Sequence, residues 1–78
     1  MTDKEGLGVK LTDMQLKAAK LIASRNANGM GARMPYAEMI VAADELVDLG
    51  LAEWRDENPS AGRWLSDAGR QALSEAQQ

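Results

Sequence analysis

The pattern of hydrophobic and polar positions predicts three helices and one hairpin. A first helix is expected over residues 11–27, because Thr12 and Gln15 have the spacing of a capping box ahead of a long apolar run. Only Lys17, Lys20 and Ser24 form a clean polar strip along this helix. Since the rest of its surface is apolar, the helix is expected to be buried on two sides as the central helix of the domain.

A second helix is predicted over residues 35–49. Pro35 suits the first helical position, and Gly50 suits the residue just past the end. The predicted apolar face consists of Tyr36, Met39, Ile40, Ala43, Leu46 and Val47, with Ala42 and Leu49 at its margin. The opposite face consists of Ala37, Glu38, Val41, Asp44, Glu45 and Asp48, so that apolar Val41 lies in the middle of an acidic surface. Between the two helices, Asn28-Gly29 predicts a turn with no room for another regular helix.

The C-terminal part of the chain predicts a hairpin followed by a helix. Two short strands are expected over residues 51–55 and 63–65, joined by turn-forming residues. Trp54 and Trp64 lie on the facing strands, where they could form a cross-strand pair, fill the core below the hairpin, or anchor a partner. Ser66 is expected to cap a helix over residues 67–76 with Ala68, Ala72 and Leu73 as its inner face. Residues 1–10 show no period and predict a flexible lead-in to one domain over residues 11–78.

The predicted order of helix, turn, helix, strand, strand and helix resembles a winged helix-turn-helix domain. This fold is mostly α with a small β-hairpin, and it is best known from bacterial DNA-binding regulators. The most specific resemblance is in Leu65-Ser66-Asp67-Ala68-Gly69-Arg70-Gln71-Ala72-Leu73, which is similar to the L-T-x-x-G-R-x-x-L segment after the wing in regulators of the MarR and PadR type. The resemblance covers about residues 12–73. Its motifs are structural, so they support a fold more than a function.

Composition excludes several kinds of chemistry. The 78 residues include no His and no Cys, which removes the usual general base, the commonest metal ligand and any disulfide. The serines have no His to activate them, so no enzyme activity, metal or cofactor is expected. No apolar run approaches the ~20 residues of a membrane span, so the sequence predicts a soluble cytoplasmic protein without membrane contact. A small aliphatic core is often helped by self-association, which makes a homodimer an option.

Charge is divided unevenly along the chain. Residues 1–33 carry six basic and three acidic side chains, whereas residues 34–78 carry nine acidic and three basic ones. In the winged-helix family, the second predicted helix would enter the major groove of DNA, yet here it has four acids and no Lys or Arg. DNA affinity normally comes from cations that neutralise phosphates, and base readout favours Arg, Lys, Asn and Gln. The usual geometry of DNA binding is therefore disfavoured.

Two functional hypotheses follow, beside the simpler interpretation that both charged groups are ordinary solvated surface. The favoured one is a protein-binding surface for a basic partner, formed by Glu38, Val41, Asp44, Glu45, Asp48 and Trp54. Small phage and mobile-element proteins use winged-helix scaffolds in this way, including some anti-CRISPR inhibitors, so analogy suggests a regulatory or inhibitory role. The alternative is a DNA-binding transcriptional regulator whose phosphate contacts would be Lys17, Lys20, Arg25, Arg33, Arg55 and Arg63.

Overall fold

Three helices and one antiparallel hairpin make up the structure, a computed structural model that describes residues 10–57 and 60–77. Their order is α1 (Asp13–Ala27), α2 (Ala37–Asp48), β1 (Ala52–Arg55), β2 (Gly62–Leu65) and α3 (Asp67–Ala76). The described chain is therefore mostly α with a small hairpin, as predicted. Of the lead-in predicted over residues 1–10, only Lys10 falls within the described residues.

Helix α1 begins where its capping signal predicts. The Thr12 hydroxyl accepts a hydrogen bond from the Gln15 backbone N–H at 3.1 Å, and the Gln15 side chain accepts one from the Thr12 N–H at 3.0 Å. Its buried side is built from Ala18, Ala19 and Ile22. The helix contacts α2, β2 and α3, which confirms its central position. None of the described helices combines the length and the apolar character that a bilayer crossing requires.

Helix α2 differs from its prediction at the N-terminus and in its buried face. Tyr36 is the N-cap with an extended backbone (φ −155°), so Pro35 lies before the cap and its predicted place inside the first turn is wrong. Ile40 is 41% exposed, whereas Ala42, predicted at the margin, is 3% exposed. The burial follows from the two neighbours of α2, because the helix packs on both α1 and β1. At the C-terminus, Gly50 takes the expected left-handed conformation (φ 78°).

The core is aliphatic and rich in alanine. It consists of Ala18, Ala19, Ile22, Ala32, Met39, Ala42, Ala43, Leu46, Leu51, Ala52, Leu65, Ala72 and Leu73. Neither tryptophan belongs to it, so the prediction that tryptophan fills the core below the hairpin is wrong. Many small side chains let the helices approach closely, but they also leave little apolar area per residue to stabilise the fold.

The hairpin pairs its strands in a register that separates the two tryptophans. Trp54 lies opposite Arg63, and Trp64 lies opposite Glu53. Because residues directly opposite each other share a face and successive residues alternate, Trp54 and Trp64 point to opposite faces. The predicted cross-strand aromatic pair is therefore wrong. On its other side, β2 is bridged by Ala32, whose N–H and C=O both bond to the Arg63 backbone at 3.0 Å.

Helix α3 is joined to the end of α2 by its cap. The Ser66 hydroxyl accepts a hydrogen bond from the Gly69 N–H at 3.0 Å and donates one to the Gly50 carbonyl at 2.7 Å. Gly69 faces the Leu51 carbonyl so closely that a Cβ there would lie 1.8 Å from its oxygen. Gly69 is thus the inner residue, and Ala68, predicted on the inner face, is exposed.

The segment that resembles the post-wing motif also carries a side-chain contact that fixes the start of α3. Arg70 donates a hydrogen bond from Nη1 to the Leu65 carbonyl at 3.0 Å, and its Nη2 contacts the Asp67 carboxylate. Leu65 and Leu73 are both buried in the core. Five residues of the motif therefore contribute to the junction between hairpin and helix: Leu65, Ser66, Gly69, Arg70 and Leu73.

Candidate functional site

The outer side of α2 is an exposed surface that combines acids with an apolar centre. It comprises Glu38, Val41, Asp44, Glu45 and Asp48, and we call it the acidic face. Val41 is 57% exposed, the highest value among the large hydrophobic side chains of the described residues. The helix contains no basic residue. An apolar side chain ringed by carboxylates is a surface that a basic, partly apolar partner would complement.

Two of the four acids are engaged by the fold itself. Asp44 Oδ1 lies 2.8 Å from Arg63 Nη2 on β2, and Glu45 Oε1 accepts a hydrogen bond from Gln15 Nε2 at 2.8 Å. Both partners are distant in sequence, because Arg63 lies 19 residues from Asp44 and Gln15 lies 30 residues from Glu45. Asp44 and Glu45 therefore help to hold α2 against β2 and α1, in addition to being exposed.

The other two acids, Glu38 and Asp48, differ in this respect. Within the described part of the chain, neither carboxylate has a hydrogen bond or an ion pair. Asp48 is also in the last turn of α2, where the helix dipole disfavours negative charge. These two carboxylates are the ones that remain available to a partner without loss of an internal contact.

Arg63 is buried and contacts other side chains, so it is not a surface cation. The residue is 8% exposed, its guanidinium pairs with Asp44, and its Cζ lies 5.2 Å from the centre of the Trp54 ring. Its Nε has no acceptor. Burial and pairing count against the predicted contact of Arg63 with DNA phosphates, because the guanidinium would have to leave both partners to reach a phosphate.

Trp54 extends the acidic face onto the hairpin. Its side chain is 49% exposed, and its ring is backed by the Arg63 guanidinium that also holds Asp44. The indole N–H donates to the Asp56 carboxylate, so the polar edge of the ring is satisfied. An exposed ring held in place by its neighbours is suited to contact another molecule, because little freedom is lost on binding. On the other face of the hairpin, Arg55 pairs with Glu53 at 2.7 Å and lies 4.5 Å from the Trp64 ring.

The other cations predicted for DNA contact are on the surface. Lys17, Lys20, Arg25 and Arg33 are all exposed, and none of them has an ion pair within the described residues. Lys17 and Lys20, which we call the basic strip, lie on the side of α1 opposite its buried residues. The structure thus separates the basic strip from the acidic face.

Asn26 is a key residue that the sequence analysis missed. Its Nδ2 donates to the carbonyls of Met30 (2.9 Å) and Arg63 (3.3 Å), and its Oδ1 accepts from the Leu65 N–H at 3.0 Å. One side chain thereby fixes β2 against the end of α1. The sequence offers only an Asn in the last turn of a helix, a common position that carries no signal for a contact 39 residues away.

A cavity of about 300 Å³ lies between α1, β2 and α3. It is lined by Ala23, Asn26, Ala27, Trp64, Leu65 and Arg70. The polar side chains in this lining already have partners, because Trp64 donates to the Ser60 carbonyl and Asn26 and Arg70 are engaged as described. The described residues contain no group of three or more side chains that could hold a metal ion.

Comparison with protein-family models, with curated proteins and with solved structures found no match to the chain.

Proposed function

We propose that this chain is a small non-enzymatic regulatory or inhibitory protein that binds a protein partner through the acidic face of α2, with Trp54 beside it. The proposal rests on the exposure of Val41. Its side chain is 57% exposed and lies at the centre of four exposed carboxylates, on a helix that has no basic residue. A partner with basic and apolar side chains would cover Val41 while its cations meet Glu38 and Asp48. Such charge complementarity governs the choice of partner and the association rate.

We also propose that the scaffold is a winged helix. The order of three helices and a hairpin supports this assignment, as does the Ala32 bridge, which adds a third short segment to the hairpin. The segment from Leu65 to Leu73 supports it further, because each residue of the quoted motif has a structural contact. On this scaffold α2 is the helix that would face DNA, and the analogy to phage inhibitors rests on its acidic character.

The proposal is tested by photo-crosslinking at the centre of the acidic face. A photoreactive p-benzoylphenylalanine in place of Val41 would be irradiated in the cells from which the protein comes, and adducts would be identified by mass spectrometry. We expect an adduct with a protein that has a basic surface. The adduct should be lost in E38K/D48K, which removes no hydrogen bond or ion pair among the described residues. It should persist in the control E57K/E75K, which changes the net charge equally. An adduct that survives E38K/D48K would overturn the proposal.

A second candidate is a DNA-binding transcriptional regulator. The observation that favours it is the exposure of Lys17, Lys20, Arg25 and Arg33 without ion pairs in the described chain. Binding to a mixed-sequence DNA duplex at low and moderate salt tests it, because phosphate contacts make affinity fall steeply with salt. Tight, salt-dependent binding that K17E/K20E weakens would support the regulator. Absence of binding at low salt would eliminate it and leave the protein-binding proposal.

A further inference from the structure

The basic strip of α1 is turned away from the acidic face of the same molecule. Ala18 and Ile22 are fully buried in the packing of α1, and Lys17 and Lys20 project on the other side of the helix. Asp13 precedes Lys17 by one turn and offsets part of its charge, but Lys20 has no acid at either helical neighbour position, since residues 16 and 24 are Leu and Ser. The strip is therefore a net positive surface with no partner among the described residues.

The acidic face has the complementary arrangement. Ala43 and Leu46 are buried on the inner side of α2. Val41 lies on the outer side, between the carboxylates of Glu38 and Asp48. Within the described residues, no ion pair joins Lys17 or Lys20 to either carboxylate. Both groups are therefore left for a contact between molecules.

We propose that a second copy of this chain binds the acidic face through Lys17 and Lys20. The aliphatic stems of the two lysines would cover Val41 while their ammonium groups reach Glu38 and Asp48, since long basic side chains bury their stems and keep their charge at a polar edge. The inference rests on the proposed function, because it names one partner of the same acidic face. Charge complementarity between the two surfaces of one chain is the argument for that partner.

The contact joins two different surfaces of the chain. If the reciprocal contact does not form in the same pair of molecules, the contact is heterologous and can add further copies in a head-to-tail row. A foreign basic protein would compete with the second copy for the same carboxylates. Because all the charges involved are exposed, the association should weaken as salt shortens the range of their attraction.

Sedimentation velocity of the full chain over a range of concentrations tests the inference. At low ionic strength we expect the average mass to rise with concentration above the 8.4 kDa of one chain, and at high ionic strength to return to it. K17E/K20E and E38K/D48K should each weaken the association by about ten-fold or more. The control E57K/E75K, with the same charge change as E38K/D48K, should associate like the wild type.

Mixing the two charge-reversed variants gives the decisive outcome. The acidic face of K17E/K20E still matches the basic strip of E38K/D48K, and the two reversed surfaces match each other, so the mixture should associate where each variant alone does not. A monomer at every salt concentration overturns the inference, as does equal association of wild type and both variants. Neither result affects the crosslinking test with a foreign protein, so failure here and failure of the proposed function remain distinguishable.

Discussion

Replacing Gly69 by alanine is expected to destabilise the protein, although alanine is the better helix former. A Cβ at this position would lie 1.8 Å from the Leu51 carbonyl oxygen, whereas an ordinary contact begins at 3.4 Å. The atom in the way belongs to the backbone and cannot rotate aside, so α3 or the start of the hairpin must move by more than an ångström. The same Leu51 oxygen accepts a hydrogen bond from the Ser66 N–H at 3.0 Å, which this movement would stretch.

Three contributions set the size of the effect. Overpacking of a well-packed site costs about 1–3 kcal/mol. A weakened backbone hydrogen bond adds about 1 kcal/mol, and the higher helix propensity of alanine returns about 1 kcal/mol. The net loss is about 2 kcal/mol, which in a domain of this size lowers the melting temperature by roughly 10 °C.

Thermal and urea denaturation followed by far-UV circular dichroism measure this difference. Ala68→Gly is the matched control, because Ala68 is the exposed neighbour in the same turn and should lose only about 1 kcal/mol of helix propensity. If Gly69→Ala leaves stability unchanged or raises it, the close packing of α3 on the Leu51 carbonyl is refuted, and propensity alone governs this position.

Further substitutions test the end of α1 and the acidic face, and the stability of each variant is measured by urea denaturation. Asn26→Ala should destabilise the fold by about 2 kcal/mol, because the Leu65 N–H loses its acceptor in a half-buried place; an unchanged midpoint would contradict that role. Asp44→Lys should cost about 2 kcal/mol, because it sets a cation beside buried Arg63, although the exposure of Asp44 moderates the loss. Asp48→Lys should be neutral or stabilising by about 0.5 kcal/mol, since it replaces an unfavourable charge at the helix C-terminus; equal losses at the two positions would argue against the Arg63 contact.

These differences determine how the acidic face can be probed. A charge reversal that includes Asp44 changes the fold and the surface together, so lost binding would have two explanations. Reversal of Glu38 and Asp48 avoids this problem, because neither carboxylate has an internal partner within the described chain. The structure therefore separates two kinds of acid that the helical pattern places on one face.

Signals within a few residues of each other predicted the fold well. The pairing of Thr12 with Gln15, the cap at Ser66 and the stop at Gly50 each depend on the backbone of one turn, so the sequence contains all the participants. The boundary at Pro35 was wrong by two residues, because proline also suits extended and turn positions outside a helix.

Contacts between distant segments could not be predicted in this way. The register that sets Trp54 against Arg63 depends on a turn of several residues, and a shift by one residue would turn every strand side chain to the opposite face. The pairing of Arg63 with Asp44 follows from that register and from the rotation of α2. The sequence therefore identified the acidic face, but it could not show which acids were already engaged.

The Ala32 bridge has a consequence for the behaviour of the protein in concentrated solution. An unpaired strand edge invites edge-to-edge aggregation. Here β2 is paired on both sides, by β1 and by Ala32, so the edge that has no partner among residues 10–57 and 60–77 belongs to β1. That edge is four residues long and carries Glu53 and Arg55, which oppose the approach of another strand. The hairpin is therefore a poor template for fibrils that grow by strand pairing.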